Sequence, residues 1–259
     1  MEELKEYKFN RVYEFADMVY SCLFDVSLDY WGYDIEQFIE ATINFNKISL
    51  LHMYIYDMLT VSYNEKFFDN NDMYSEENDE YDKWFEIANS FGIQFNSEFD
   101  CERGGIKSDF YKWYKDNEFV FDEIFQNITN EVFYILYTDH NFLLNFNKTI
   151  AAIIKNADNE RDWNYPDNIL TKKGTIKRKN IPQWVKDAVF HRDHGRCVFC
   201  NKDLTGRYTH LNKRNFDHII PLNKYGSNDP NNIQLTCEKC NKEKNDNELN
   251  PDYKYEKWW

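Results

Sequence analysis

The sequence predicts a mostly α-helical protein that ends in a small C-terminal module stapled by zinc. Three observations lead to this fold class. Apolar residues recur at helical spacing as far as Ile153. Two Cys-x2-Cys pairs follow, Cys197 with Cys200 and Cys237 with Cys240. The charge of the chain also changes sign between the helical part and the part that holds the cysteines.

The helical part divides into several amphipathic stretches. Their apolar positions are Phe9, Val12, Tyr13, Ala16, Val19, Tyr20 and Leu23; Ile35, Phe38, Ile39, Thr42 and Ile43; Ile48, Leu51, Ile55 and Leu59; and Phe119, Ile124, Ile128, Val132, Ile135, Leu136, Phe142, Phe146, Ile150 and Ile153. Asp139-His140-Asn141 interrupts the last stretch and predicts a break between two helices. Residues 64–82 are acidic and rich in Asn, which predicts a solvated loop, and Gly104-Gly105 predicts another interruption.

The charge distribution indicates two parts with different tasks. The net charge is −14 over 259 residues, which by itself argues against a nucleic-acid partner. Residues 1–165, however, hold 13 Lys and Arg against 33 Asp and Glu, whereas residues 166–259 hold 18 against 12. The net charges are therefore −20 and +6. We expect an acidic α-helical domain over residues 1–165, a basic linker over 166–180 and a separate module over 181–259.

The four paired cysteines have the spacing of ligands for one tetrahedral structural zinc ion. The charged start of the chain, Met1-Glu2-Glu3-Leu4-Lys5-Glu6, lacks the apolar segment of a signal peptide. We therefore expect reduced thiols in a cytoplasmic protein. No apolar stretch reaches the roughly 18 residues of a membrane span, so we expect no membrane partner.

Several motifs of the C-terminal module occur in one order. They are Ile181-Pro182-Gln183-Trp184-Val185, which opens a short helix, Arg192-Asp193-His194-Gly195-Arg196-Cys197, Phe216-Asp217-His218-Ile219-Ile220-Pro221, Asn231-Asn232-Ile233-Gln234-Leu235, and Cys237-Glu238-Lys239-Cys240-Asn241-Lys242-Glu243-Lys244. In these motifs the chain resembles the HNH, or ββα-metal, endonuclease family over about residues 181–245. The resemblance implies a β-hairpin with Asp217-His218 on its first strand and a last helix that begins at the second cysteine pair.

The resemblance also implies roles for individual residues. His218 is the general base, a role that suits an imidazole because it titrates near neutral pH. Asp217 binds a catalytic divalent cation, and Asn232 orients the loop or the histidine through hydrogen bonds. Many members have a histidine where this chain has Asn241, which we interpret as an altered metal ligand. An amide oxygen in place of imidazole favours Mg²⁺ or Mn²⁺ over softer metals.

DNA is the partner that this resemblance implies, with products that carry 5′-phosphate and 3′-hydroxyl ends. Phosphate contacts are expected from the basic residues Lys172, Lys173, Lys177, Arg178, Lys179, Arg207, Lys213, Arg214 and Lys244. A net charge of +6 over 94 residues is modest, so we expect weak, steeply salt-dependent binding.

The acidic half leaves three roles open: a sensor or protein-interaction domain, a shield for the basic module, or a dimerisation domain. By analogy with other fusions of this family, we expect an anti-phage defence or restriction effector. The alternatives are a non-catalytic zinc module that binds nucleic acid or protein, and a ribonuclease or toxin nuclease.

Overall fold

The computed structural model describes residues 11–25, 35–68, 77–96, 107–160, 169–206 and 214–245. Within them the chain is mostly helical, as predicted, with one small sheet near the C-terminus. The elements are α1 (Val12–Asp25), α2 (Ile35–Ile43), α3 (Leu50–Phe68), α4 (Glu77–Phe91), α5 (Lys107–Asp116), α6 (Glu118–Thr138), α7 (His140–Glu160), α8 (Gln183–Arg192), β1 (Arg214–His218), β2 (Ile233–Cys237) and α9 (Glu238–Lys244). None of the helices described here is long and apolar enough to cross a membrane.

Two compact units make up the chain, and they are interleaved in sequence. The first consists of Met1–Phe24 and Tyr54–Ile135, and the second of Asp25–Met53 and Leu136–Trp259. The division predicted at residues 165 and 180 stays a prediction. In the structure, α2, α7 and the start of α3 belong to the same compact unit as the C-terminal module.

The core of the first unit is aromatic. Trp84 is fully buried, and its ring packs edge to face with those of Tyr63 and Phe121 at centroid distances of 4.8 and 5.3 Å. Such edge-to-face contacts add roughly 0.5–1.5 kcal/mol per pair beyond the burial itself. The high aromatic content of the sequence therefore builds the core of this unit.

The second unit contains the β-hairpin. β1 pairs with β2 in antiparallel register, with Asp217 opposite Gln234 and His218 opposite Ile233. α8 and β2 share a buried apolar cluster made of Val185, Val189, Cys197, Leu204, Ile233, Leu235, Cys237 and Cys240. This small core fixes the hairpin and the cysteine pairs to one another.

The boundaries of several elements agree with the sequence. The break at Asp139 separates α6 from α7, and Pro182 directly precedes α8 in extended conformation (φ −62°, ψ 157°). The loop predicted over residues 64–82 is too long, because α3 continues to Phe68 and α4 already begins at Glu77. These helical turns carry mostly polar residues, so the spacing of apolar residues does not reveal them. The interruption predicted at Gly104-Gly105 lies outside the described residues.

Candidate active site

The four paired cysteines converge on one point. Their sulfur atoms all lie within 4.8 Å of one another, and the Sγ atoms of Cys200 and Cys237 are 3.8 Å apart. Zn–S bonds of about 2.3 Å in a tetrahedron place sulfurs roughly 3.8 Å apart. None of these thiols forms a disulfide. The donor set therefore fits one zinc ion, as the sequence predicts.

Local hydrogen bonds explain why these sulfurs meet. The first pair lies in a tight turn in which the amide of Cys197 donates to Lys202 O and Asn201 donates back to Cys197 O. Asn201 adopts the left-handed conformation that such a turn needs (φ 57°). The second pair lies where β2 ends and α9 begins, with Cys237 Sγ accepting a hydrogen bond from the amide of Cys240 at 3.4 Å.

Asp217 and Lys244 form an ion pair beside this zinc centre. The Lys244 ammonium donates to Asp217 Oδ2 at 2.8 Å and to the carbonyl oxygen of His218 at 2.7 Å. Lys244 is only 1% exposed, whereas the carboxylate side chain is 16% exposed. Both acceptors therefore fix Lys244 in the interior as a link between α9 and β1. Its predicted phosphate contact stays a prediction.

Asn241 lies on α9, the helix that packs against β1, and is partly buried. The strand that carries Asp217 thus adjoins the helix that carries Asn241. A carboxylate and an amide oxygen are both donors that hard divalent cations accept. The Asp217 carboxylate is paired with the Lys244 ammonium in this structure, and the ligand roles of Asp217 and Asn241 stay predictions.

His218 is buried more deeply than a solvent-facing base would be. It is 1% exposed, and neither ring nitrogen has a hydrogen-bond partner among the described residues. Burial lowers the pKa of His218 to about 4, and the positive charge of Arg178 acts in the same direction. Asp217 and the side chain of Asn228 oppose this shift. The imidazole is therefore neutral at physiological pH, with two unsatisfied nitrogens that call for a polar partner.

Asn232 holds the loop that follows His218. Its Oδ1 accepts from the amide of Ile220 at 2.8 Å, and its Nδ2 donates to Ile220 O at 3.0 Å and Ser227 O at 2.9 Å. Its carbonyl accepts from Ile219 at 2.6 Å. A Cβ at Gly226 would lie 2.0 Å from Ile220 O, so only glycine allows this close approach. These contacts are those of a residue that orients the loop.

Two acidic residues near the site carried no functional signal in the sequence. Asp229 is buried and accepts from the amides of Leu50 and Asn231 and from the Asn231 side chain. Burial raises its pKa to about 6. An Asp before Pro230 indicates a local cap, but nothing in the sequence indicates the contact with Leu50.

Asp193 supports β2 from the end of α8. It pairs with Arg192, whose Nε lies 2.6 Å from Asp193 Oδ1, and it accepts from the amide of Leu235 at 2.8 Å. The Nη2 atom of Arg192 donates to Ile233 O at 2.7 Å. This buried pair therefore fixes the strand opposite His218.

Most of the predicted nucleic-acid contacts are exposed. These residues are Lys172, Lys173, Lys177, Arg178, Lys179 and Arg214. Arg214 also packs over the ring of Phe190 at 4.4 Å and donates to Leu204 O. Arg207 and Lys213 lie outside the described residues.

The comparisons with known proteins concern the C-terminal part of the chain. Neither the curated proteins nor the solved structures contain a match to this chain. The family described as HNH endonuclease matches residues 197–251, which include both cysteine pairs, the hairpin and α9. The predicted resemblance to the HNH endonucleases is thus confirmed for residues 197–251.

Proposed function

We propose that this chain is a metal-dependent endonuclease that hydrolyses phosphodiester bonds in DNA. The single observation that carries the proposal is the Asp217-His218 strand held beside the four-cysteine centre and α9 within the matched module. The family match supports nuclease action on nucleic acid. The choice of DNA and of these residues is our inference.

In the proposed reaction, the oxygen of a water attacks phosphorus and the P–O3′ bond breaks. The proton of the water passes to a ring nitrogen of His218, which is neutral and unpaired among the described residues. The departing 3′ oxygen takes up a proton from a solvent water and His218 later returns its proton to solvent, which leaves 3′-hydroxyl and 5′-phosphate ends. Asn232 keeps the loop after His218 in place during this exchange.

Asp217 and Asn241 would hold the catalytic cation, Mg²⁺ or Mn²⁺, and the four cysteines would hold zinc. The catalytic cation supplies positive charge at the phosphate and the leaving oxygen. Lys244 keeps the carboxylate of Asp217 oriented through its 2.8 Å contact. By analogy alone, we also propose that the helical half controls the nuclease and binds a protein partner or forms a homodimer. The same analogy suggests a role in defence or restriction.

The burial of His218 favours a second candidate, a zinc module that binds nucleic acid or protein without cutting it. An imidazole that is 1% exposed and has a pKa of about 4 is a weak base at neutral pH. In this case the module would bind a labelled duplex or protein but leave a plasmid intact.

A nicking assay separates the two candidates. Supercoiled plasmid and an RNA of similar length are incubated with the full chain and Mg²⁺, Mn²⁺, Ni²⁺ or Zn²⁺. We expect nicking of the plasmid with Mg²⁺ or Mn²⁺ and a loss of about 10²–10⁴-fold in the His218→Ala variant. His191→Ala, which removes an exposed histidine of α8, is the matched control and should keep wild-type activity.

An unchanged rate in His218→Ala, with wild-type zinc content and melting temperature, contradicts the role of His218. Faster cleavage of RNA than of plasmid supports the ribonuclease alternative. The best rate with Ni²⁺ or Zn²⁺ contradicts the proposed cation site of Asp217 and Asn241.

A further inference from the structure

One buried amide on β2 lacks a partner. Gln234 is only 4% exposed, and its Nε2 atom has no hydrogen-bond partner among the described residues. Turning the amide group by 180° exchanges its oxygen and nitrogen within the same space, so this position can hold either atom. A buried amide without a partner destabilises a fold, whereas an apolar side chain of the same size does not. Gln at position 234 therefore calls for a polar partner.

The register of the hairpin places this amide beside Asp217. Gln234 lies directly opposite Asp217 in the antiparallel pair. Residues that face each other in such a pair point to the same side of the sheet, with Cβ atoms about 4.5–5.5 Å apart. The neighbours of Gln234 along β2, Ile233 and Leu235, pack into the apolar cluster that the strand shares with α8. Gln234 and Asp217 therefore share the other, polar side of the hairpin.

The helix α9 covers this polar side. It packs against both strands, and Lys244 reaches from it to Asp217 at 2.8 Å. Asn241 lies three residues before Lys244 on α9, so their side chains are neighbours on one face of the helix. Three side chains that carry oxygen, Asp217, Gln234 and Asn241, thus lie on the facing surfaces of β1, β2 and α9.

The charges at this place favour a cation as the missing partner. Lys244 donates to Oδ2 of Asp217 and leaves Oδ1 without a hydrogen bond from a described residue. The carboxylate is 16% exposed, so a small ion can reach it from solvent. An anion would be repelled by this carboxylate, whereas a carboxylate oxygen beside an amide oxygen suits a hard divalent cation.

We propose that Gln234 is a third protein ligand of the catalytic divalent cation, and that its amide oxygen joins those of Asp217 and Asn241. Three oxygen ligands from three elements hold the ion more firmly than the two that the sequence predicts. An amide adds no charge, and water completes the coordination, as is usual for Mg²⁺. This inference rests on the proposed nuclease function, because it adds a residue to the same site.

The test is binding of Mn²⁺ to the zinc-loaded full chain without DNA, followed by the electron paramagnetic resonance signal of the free ion. Gln234→Met removes the amide but keeps the length of the side chain, and Gln234→Glu keeps an oxygen. We expect Gln234→Met to weaken binding about 10–100-fold, the range found even when groups next to metal ligands are lost. Gln234→Glu should bind Mn²⁺ at least as tightly as the wild type. Gln183→Met, at the exposed start of α8, is the matched control and should bind as the wild type does.

Urea unfolding separates a ligand from a residue that only supports the fold. Without Mn²⁺, Gln234→Met should be at least as stable as the wild type, because it removes a buried amide that lacks a partner. Added Mn²⁺ should raise the unfolding midpoint of the wild type far more than that of Gln234→Met, since the ion stabilises the state that it binds. A less stable Gln234→Met whose Mn²⁺ affinity is unchanged overturns the inference, because the amide would then be partnered within the fold.

The remaining outcomes separate this inference from the proposed function. Weaker Mn²⁺ binding in Asn241→Ala but not in Gln234→Met overturns the inference and leaves the two predicted ligands in place. A wild-type chain that nicks plasmid but binds no Mn²⁺ overturns it as well, while the nuclease function stands. A chain that binds Mn²⁺ through Gln234 but cuts neither plasmid nor RNA supports the ion site and contradicts the nuclease function.

Discussion

A lysine in the interior, Lys244, is the residue on which the arrangement of Asp217 depends most. Its ammonium donates hydrogen bonds to the Asp217 carboxylate and the His218 carbonyl, and the side chain is almost inaccessible to solvent. Lys244→Met leaves both acceptors without a donor. Because a buried charge pair has lost one partner, we expect a loss of about 3 kcal/mol in the free energy of unfolding, measured with urea.

Lys239→Met is the matched control for this change. Lys239 lies on the same helix but is exposed, and its pairing with Glu243 at 3.7 Å is exposed too. We expect this variant to stay within about 0.5 kcal/mol of the wild type. An equal loss in both variants would show that Lys244 stabilises only through helix propensity or net charge.

At the scale of an element, the start of α3 is held by a histidine. Ser49 precedes the helix, and His52 Nδ1 lies 2.8 Å from Ser49 Oγ and accepts from the Ser49 amide at 3.2 Å. His52 thus takes the place of the Glu or Gln of a capping box, whose side chain accepts from the amide of the residue before the helix. Burial lowers the pKa of His52 to about 4 from an ordinary value of 6.5. The neutral ring is thus the form that caps the helix.

The sign of the pH dependence follows from this depressed pKa. The unfolded chain binds the proton more readily, so the stability that His52 contributes is complete above about pH 6.5 and is lost as pH falls toward 4. A Gln at position 52 can accept the same hydrogen bond from the Ser49 amide, but its side chain does not titrate. We expect the wild type to lose up to roughly 3 kcal/mol relative to His52→Gln between pH 7.5 and 4.

Urea unfolding of both proteins at several pH values measures this difference. Asp229, which accepts from Leu50 in the same helical turn, titrates with the opposite sign but is common to both proteins and cancels. A difference between the proteins that does not change with pH would show that His52 is not buried as a neutral cap.

The zinc centre joins two further elements, the turn after Cys197 and the junction of β2 with α9. We expect one zinc ion per chain, measured by metal analysis, and its loss in Cys200→Ala. The melting temperature should fall by several degrees on removal of the metal, because the metal binds the folded state. Cys22→Ala, which changes a thiol of the other unit, should retain the zinc.

At this same scale, some features follow from the local sequence and others depend on contacts between distant residues. The convergence of the cysteines and the break at Asp139 were predictable because each depends on neighbours in sequence, and the family resemblance implied that Asp217-His218 lies on a strand. The bond between Leu50 and Asp229 joins residues 179 positions apart, and no local pattern encodes it. The burial of His218 depends on the same kind of packing, so no local pattern indicates it.

At the scale of the whole molecule, contacts from the helical half complete the compact unit that holds the zinc module. Asp229 bonds to Leu50, and Asn147 Nδ2 donates to Asn231 O at 3.0 Å. His140 Nε2 lies 3.4 Å from Asp193 Oδ1. These partners belong to α3 and α7, so a chain that begins at residue 166 would lack all of them.

We therefore expect the chain of residues 166–259 to fail to fold, rather than to be released from inhibition. Several buried polar groups would lose their partners at about 1–3 kcal/mol each, against a total stability of about 5–15 kcal/mol. Circular dichroism, urea unfolding and nicking activity of this truncated chain measure the outcome.

A matched variant keeps all residues but carries a protease site between α7 and Leu170; after cleavage, the two fragments should remain associated and active. A cooperatively folded 166–259 chain that cuts DNA as fast as the full protein would contradict this expectation, and faster cutting would instead favour a shielding role for the acidic half.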